Sequence, residues 1–142
     1  MKPIGYWLNR TDQALTASMD ALLADFGLTR LGWQVLGVVK DDPRATDTAV
    51  LAALAANADA AALTSAVASV LGGGWVTRPH PDRLALTDGG RARLAEVARH
   101  VDAFRELAVT GITREEYVTA VTVLERMTRN LTGPRGGSPA RP

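Results

Sequence analysis

Residues 59–91 read DAAALTSAVASVLGGGWVTRPHPDRLALTDGGR, and the change of period inside this stretch decides the fold. Asp59 is an N-cap residue type, and the run behind it predicts a helix ending near Leu71. Gly72-Gly73-Gly74 stops that helix. Trp75-Val76-Thr77-Arg78 then reads as a strand, Pro79-His80-Pro81-Asp82 as a loop, and Arg83-Leu84-Ala85-Leu86 as the returning strand. Both prolines belong in the hairpin tip, because proline cannot donate to a β-ladder. Thr87 or Asp88 caps a long helix from about Gly90 to Ala108.

Upstream, Asp47 or Thr48 starts a short helix to about Ala56, with Asn57 and Ala58 making the turn into the Asp59 helix. Two short helices joined by a tight turn form a helix-turn-helix outline. Before them, Ile4, Leu8, Leu15, Met19, Leu22 and Phe26 recur at mostly three- and four-residue spacing, which predicts an amphipathic helix over 4–26 with Gly27 as its stop. Thr29 caps a second helix through Lys40, with Leu31, Trp33, Val35, Leu36, Val38 and Val39 as its buried set, and Asp41-Asp42-Pro43 ends it. Downstream, Thr113-Arg114-Glu115-Glu116 fits a capping box for a last helix to about Leu131. Its stripe is Tyr117, Val121, Leu124, Met127 and Leu131. The remaining GPRGGSPARP, 133–142, is too polar and too rich in Gly and Pro to pack, and is expected to be a disordered tail.

The predicted class is mostly α with one small β-hairpin (α+β): a winged helix-turn-helix domain over 1–132. Its nucleic-acid-facing part is expected at about 29–90, with flanking dimerisation helices at about 4–26 and 90–131. In such an arrangement the second helix of the motif enters the DNA major groove, and the hairpin tip reaches backbone or minor groove, where arginine is favoured. Thr64, Ser65 and Ser69 are the polar groups of that helix after its cap, and Arg78 and Arg83 flank the tip. The alternative for the two arginines is a solvated pair bridging to Asp82 or to a helix end. His80 reads as an exposed loop residue and His100 as a surface residue. The apolar stripes of the first and last helices exceed what the chain can easily bury alone, which points to a homodimer.

Composition narrows the class further. A chain of 142 residues carrying a net charge of +1 is one ordinary domain in size. It contains no cysteine, which excludes disulfides and thiolate metal sites. Two distant histidines make no zinc site. MKPIGYWLNR lacks the apolar core of a signal peptide, and no stretch approaches a membrane span, so a soluble cytoplasmic protein is expected. Up to residue 60, Lys2, Arg10, Arg30, Lys40 and Arg44 face Asp12, Asp20, Asp25, Asp41, Asp42, Asp47 and Asp59; the basic excess begins at Arg78. Asp41-Asp42 and Glu115-Glu116 are helix-end charges, since neighbours on a helix do not face each other. The triple glycine ends a helix where a phosphate-binding loop must begin one. No nucleophile–base pair, cofactor motif or metal cluster is visible, so no enzyme is expected.

Several of these segments, taken in order, resemble the MarR family of bacterial regulators. They are Leu28-Thr29-Arg30-Leu31-Gly32-Trp33-Gln34-Val35-Leu36, Gly74-Trp75-Val76-Thr77-Arg78, the wing pair Asp82-Arg83, and Leu86-Thr87-Asp88-Gly89-Gly90-Arg91 opening the next helix. The resemblance covers roughly residues 4–131. It implies a triangular homodimer in which the first, fifth and sixth helices of two subunits interlock, and repression of transcription at a pseudo-palindromic operator, relieved by a small ligand. The ligand is often a phenolic or other lipophilic anion, and Trp7, Arg10 and Trp33 are the residues that the resemblance suggests for its crevice. One departure stands out: from Asp59 to Leu71 there is no basic residue. Ser and Thr grip DNA more weakly than a bidentate Arg–guanine pair of about 1–3 kcal/mol. The competing reading is therefore a degenerate winged-helix dimer serving as a protein- or ligand-interaction module.

Overall fold

A computed structural model describes residues 1–133. Six helices and one hairpin follow in the order α1 (Ile4–Ala24), α2 (Arg30–Asp41), α3 (Asp47–Ala53), α4 (Ala60–Gly72), β1 (Val76–Thr77), β2 (Ala85–Leu86), α5 (Asp88–Ala108) and α6 (Arg114–Thr132). Two compact units divide the chain, Met1–Phe104 and the segment from Arg105 onward. The expected 133–142 tail lies outside the described residues apart from Gly133, which caps α6.

Local chemistry sets the helix starts. Thr29 Oγ1 accepts from the Gly32 amide at 3.0 Å, and the Asp59 carboxylate accepts from the Ala62 amide at 2.8 Å. The cap of α3 is Thr46, whose hydroxyl accepts from the Ala49 amide, one residue ahead of the expected Asp47 or Thr48. That helix also ends at Ala53, three residues short of the expected end. Thr113 and Glu116 form the capping box, each side chain taking the other residue's amide. Each such cap is worth about 1 kcal/mol.

The core of the first unit is built by α2, α3, α4, the hairpin and most of α5. Val35, Leu36, Val50, Leu63, Leu84 and Val97 are sealed within it. Leu31, Trp33 and Val38, expected inside, are half-buried against it. From α1 only Leu23 is buried, and the chain turns after it at Gly27, with φ 74°. The rest of α1 presents Ile4, Trp7, Leu8 and Leu15 at 40–55% exposure. In the second unit α6 has no buried residue at all, and Tyr117, Val118, Val121 and Leu131 are exposed along it.

The hairpin pairs Val76 with Leu86 and Thr77 with Ala85, a shorter ladder than the four-residue strands expected. It has a third member the sequence reading lacked. Thr46 bridges Arg83, the Leu84 amide donates to the Ala45 carbonyl at 2.9 Å, and the Asp47 amide donates to Asp82. An isolated two-stranded hairpin is marginal in water, and this extra pairing anchors the wing to the first turn of α3. On the other side, the Thr87 hydroxyl donates to the Gly74 carbonyl at 2.7 Å and accepts from the Gly90 amide at 2.8 Å. Gly90 is required there: a Cβ would sit 2.0 Å from the Trp75 carbonyl oxygen.

Candidate nucleic-acid interface and pocket

The two faces of α4 differ in chemistry. Leu63, Ala66, Val67 and Val70 face the core, while Thr64, Ser65, Ala68 and Ser69 are exposed. Helical periodicity thus puts the three hydroxyls on one solvent face, beside α3 and ahead of the wing. Behind α4, Trp75 is buried, and the Arg93 guanidinium of α5 lies 3.8 Å from its ring centroid. Arg93 also donates to the Gly73 carbonyl at 3.2 Å and to the Phe26 carbonyl at 3.4 Å. This stack fixes the end of α4 to α5 and to the turn after α1.

The wing arginines have different surroundings. Arg78 forms a fork with Asp47, Nη1–Oδ1 at 2.6 Å and Nη2–Oδ2 at 2.9 Å, and donates to the Pro81 carbonyl at 3.2 Å. Those hydrogen bonds hold the Asp47 carboxyl below its ordinary range and push the Arg78 guanidinium above its own. The partner is therefore a helix end, Asp47 of α3, rather than Asp82. Arg83 is half-buried; its Nε is enclosed without a hydrogen-bond acceptor among the described residues, and it makes no ion pair among them. His80 is exposed at the tip.

A crevice of about 370 Å³ opens between α2 and α5. Trp33, Gly37, Leu86, Leu94 and Ala95 give it apolar walls, and Gln34, Lys40, Asp41 and Arg91 supply polar groups. Its size suits a small organic molecule, for which sites run from about 300 Å³ upward. Arg91 is loosely paired with Asp88 at 3.9 Å, and Lys40 makes no ion pair among the described residues. Of Trp7, Arg10 and Trp33, only Trp33 lines this crevice. Trp7 is 55% exposed on α1, edge-on to Tyr6, and Arg10 donates to the Tyr6 hydroxyl at 3.2 Å. The sequence did not single out Lys40 and Arg91, which line this crevice; their only sequence signal is a place at the end of α2 and the start of α5. No group of three or more metal-ligating side chains occurs among the described residues. No described helix is long and apolar enough to cross a membrane.

A helix-turn-helix with a three-segment wing behind it defines a winged helix-turn-helix protein. Its neighbours among solved structures include MarR and MarR-family proteins. One is a mutant of MarR from E. coli complexed with operator DNA: 23% identity, TM-score 0.68, covering 87% of this chain and 92% of that one. A MarR-family protein of Mycobacterium tuberculosis in complex with DNA has 23% identity and TM-score 0.70, covering 89% of this chain and 98% of that one. BpsR of Bordetella bronchiseptica, whose DNA binding is regulated by 6-hydroxynicotinic acid, has 23% identity and TM-score 0.69, covering 89% and 94%. No family model and no curated protein matches the chain by sequence. The shared architecture is thus a likeness of fold.

Proposed function

We propose that this protein is a transcriptional regulator that binds duplex DNA as a homodimer, as a repressor released by a small ligand in the cytoplasm. The observation that carries the reading is the exposed hydroxyl face of α4, held beside a wing that is stitched to α3. Neighbours of the same fold have been solved on DNA, which supports placing that face in a major groove. Thr64, Ser65 and Ser69 then contact bases or phosphates, and Arg83 supplies charge from the wing. The exposed apolar faces of α1 and α6 are the surfaces that a second copy would cover.

The crevice at Trp33 is the effector site in this reading. Its apolar walls accept a flat ring, and Lys40 and Arg91 suit a carboxylate or phenolate. The BpsR ligand is of that kind, a hydroxylated aromatic acid. In this reading the protein acts by binding.

Selection of bound fragments from genomic DNA, followed by gel shifts over a salt series, tests the proposal. A recovered palindrome bound more tightly than random duplex is the expected result. A charge-poor α4 favours one competitor, an interaction module that kept the fold without DNA binding. Failure to retain any duplex at low salt, with a normally folded protein, decides for that module.

A further inference from the structure

We infer that Asp47 is an intramolecular stand-in for a DNA phosphate, occupying the Arg78 guanidinium and keeping that cation out of the wing's grip on the duplex. The inference rests on the DNA-binding reading above and concerns the regulation of that same surface. A carboxylate and a phosphate present the same pair of oxygens to the planar fork of an arginine. Asp47 uses both of its oxygens, at 2.6 and 2.9 Å, and the Pro81 carbonyl takes a further hydrogen bond from Nη1. Three of the guanidinium's five N–H donors, including the end-on fork, are therefore already engaged.

The pair is nonetheless open to exchange. Its side chains are 35% and 40% exposed, so a phosphate oxygen reaches the guanidinium without any rearrangement of the core, and exposed ion pairs are weak. The carboxylate is not needed to start α3, because the Thr46 hydroxyl caps that helix. What makes the pair consequential is the scarcity of other cations. No Lys or Arg lies between Asp59 and Leu71, so the cations nearest this face are the wing's Arg78 and Arg83 and the exposed Arg44 just before Ala45. With Arg78 held by Asp47, Arg83 is the one arginine of the hairpin left to grip, with Arg44 beside it.

Binding of a labelled mixed-sequence duplex, measured by fluorescence anisotropy over a salt series, tests this on the full chain. Each phosphate neutralised steepens the slope of log K against log salt by about 0.9. Asp47→Asn is expected to steepen the slope by about that amount, so that its advantage over the unmodified protein grows about 3.5-fold between roughly 200 and 50 mM salt. Arg78→Gln alone is expected to leave the slope unchanged, yet to cancel the gain in the Asp47→Asn background. A general change of net charge would not give that dependence of one substitution on the other. Asp47→Ser repeats the test should the asparagine variant melt too early. An unchanged slope in a folded Asp47 variant, or a flatter one in Arg78→Gln alone, overturns the inference while leaving the DNA-binding reading intact. Failure of every form of the protein to bind duplex refutes both.

Discussion

Replacing Gly90 by alanine adds a single methyl group at the junction of wing and α5, and the structure gives it no room. The added Cβ meets the Trp75 carbonyl oxygen at 2.0 Å, the Trp75 carbonyl carbon at 2.7 Å and Thr87 Oγ1 at 2.9 Å. Two of these three are backbone atoms, and that carbonyl already accepts from the Thr87 amide at 3.0 Å. Trp75 cannot retreat, because its ring is 2% exposed and lies under the Arg93 guanidinium. Overpacking a rigid site costs about 1–3 kcal/mol, and contact this short with backbone belongs at the top of that range. Alanine returns at most about 1 kcal/mol through its better helix propensity. A net loss of about 2 kcal/mol or more is expected, which for a chain of this length lowers Tm by roughly 4–10 °C. The neighbouring Gly89→Ala is the control, since nothing lies within 4 Å of its added Cβ. Urea denaturation followed by circular dichroism compares the two. Equal stability of Gly90→Ala and Gly89→Ala would refute the argument that close backbone approach is what demands glycine at residue 90.

Asp47 also gives the fold a signature in acid. Its carboxyl is held below the ordinary value of 3.8 by the Arg78 hydrogen bonds, so the pair stabilises the protein above that pH and the contribution is lost as pH falls through the lower folded-state value. The unmodified protein should exceed Asp47→Asn by at most about 1 kcal/mol near neutrality, and their urea midpoints should converge in strong acid; a gap that widens on acidification contradicts this sign. Val121→Glu places a carboxylate on the exposed apolar face of α6 and is expected to cost about 3 kcal/mol or more of association if a second copy covers that face. Light scattering is then expected to report a dimer for the unmodified protein and a monomer for the variant. In the crevice, 6-hydroxynicotinic acid or a similar aromatic acid should quench Trp33 emission. Arg91→Ala or Lys40→Ala should each weaken that binding by about 1.5–3 kcal/mol wherever the lost group was hydrogen-bonded to the carboxylate, and an unaltered titration in both variants removes them from the site.

What was legible in the sequence follows the range of each interaction. Thr29, Asp59 and Thr113 act on amides three residues away, so their caps could be read directly, as could the hairpin from its prolines and flanking β-formers. Two elements of the wing were hidden because their partners are far along the chain. Ala45–Asp47 carries no period of its own and joins the wing only through an isolated bridge and backbone hydrogen bonds to 82–84. The Arg78–Asp47 fork joins residues 31 positions apart, where the sequence offered Asp82 or an unspecified helix end without saying which. Tertiary placement also decided the crevice. Trp7, Arg10 and Trp33 share an aromatic and cationic character, but α1 leaves the first two in solvent and only α2 turns Trp33 toward α5. Lys40 and Arg91 had no local mark of a role, since both look like ordinary helix-end charges.

The stitch between Ala45 and Leu84 has a kinetic consequence. Leu84 is 1% exposed, and its amide is bonded to a segment that enters α3 directly. Its proton should therefore exchange with solvent only when the first unit unfolds as a whole, as core amides do. The amides of His80 and Asp82 at the tip, exposed and outside the ladder, should exchange many times faster by local fraying. The wing is then a short soft point on a root as slow to open as the core, and any yielding to the curvature of a bound duplex is confined to its tip.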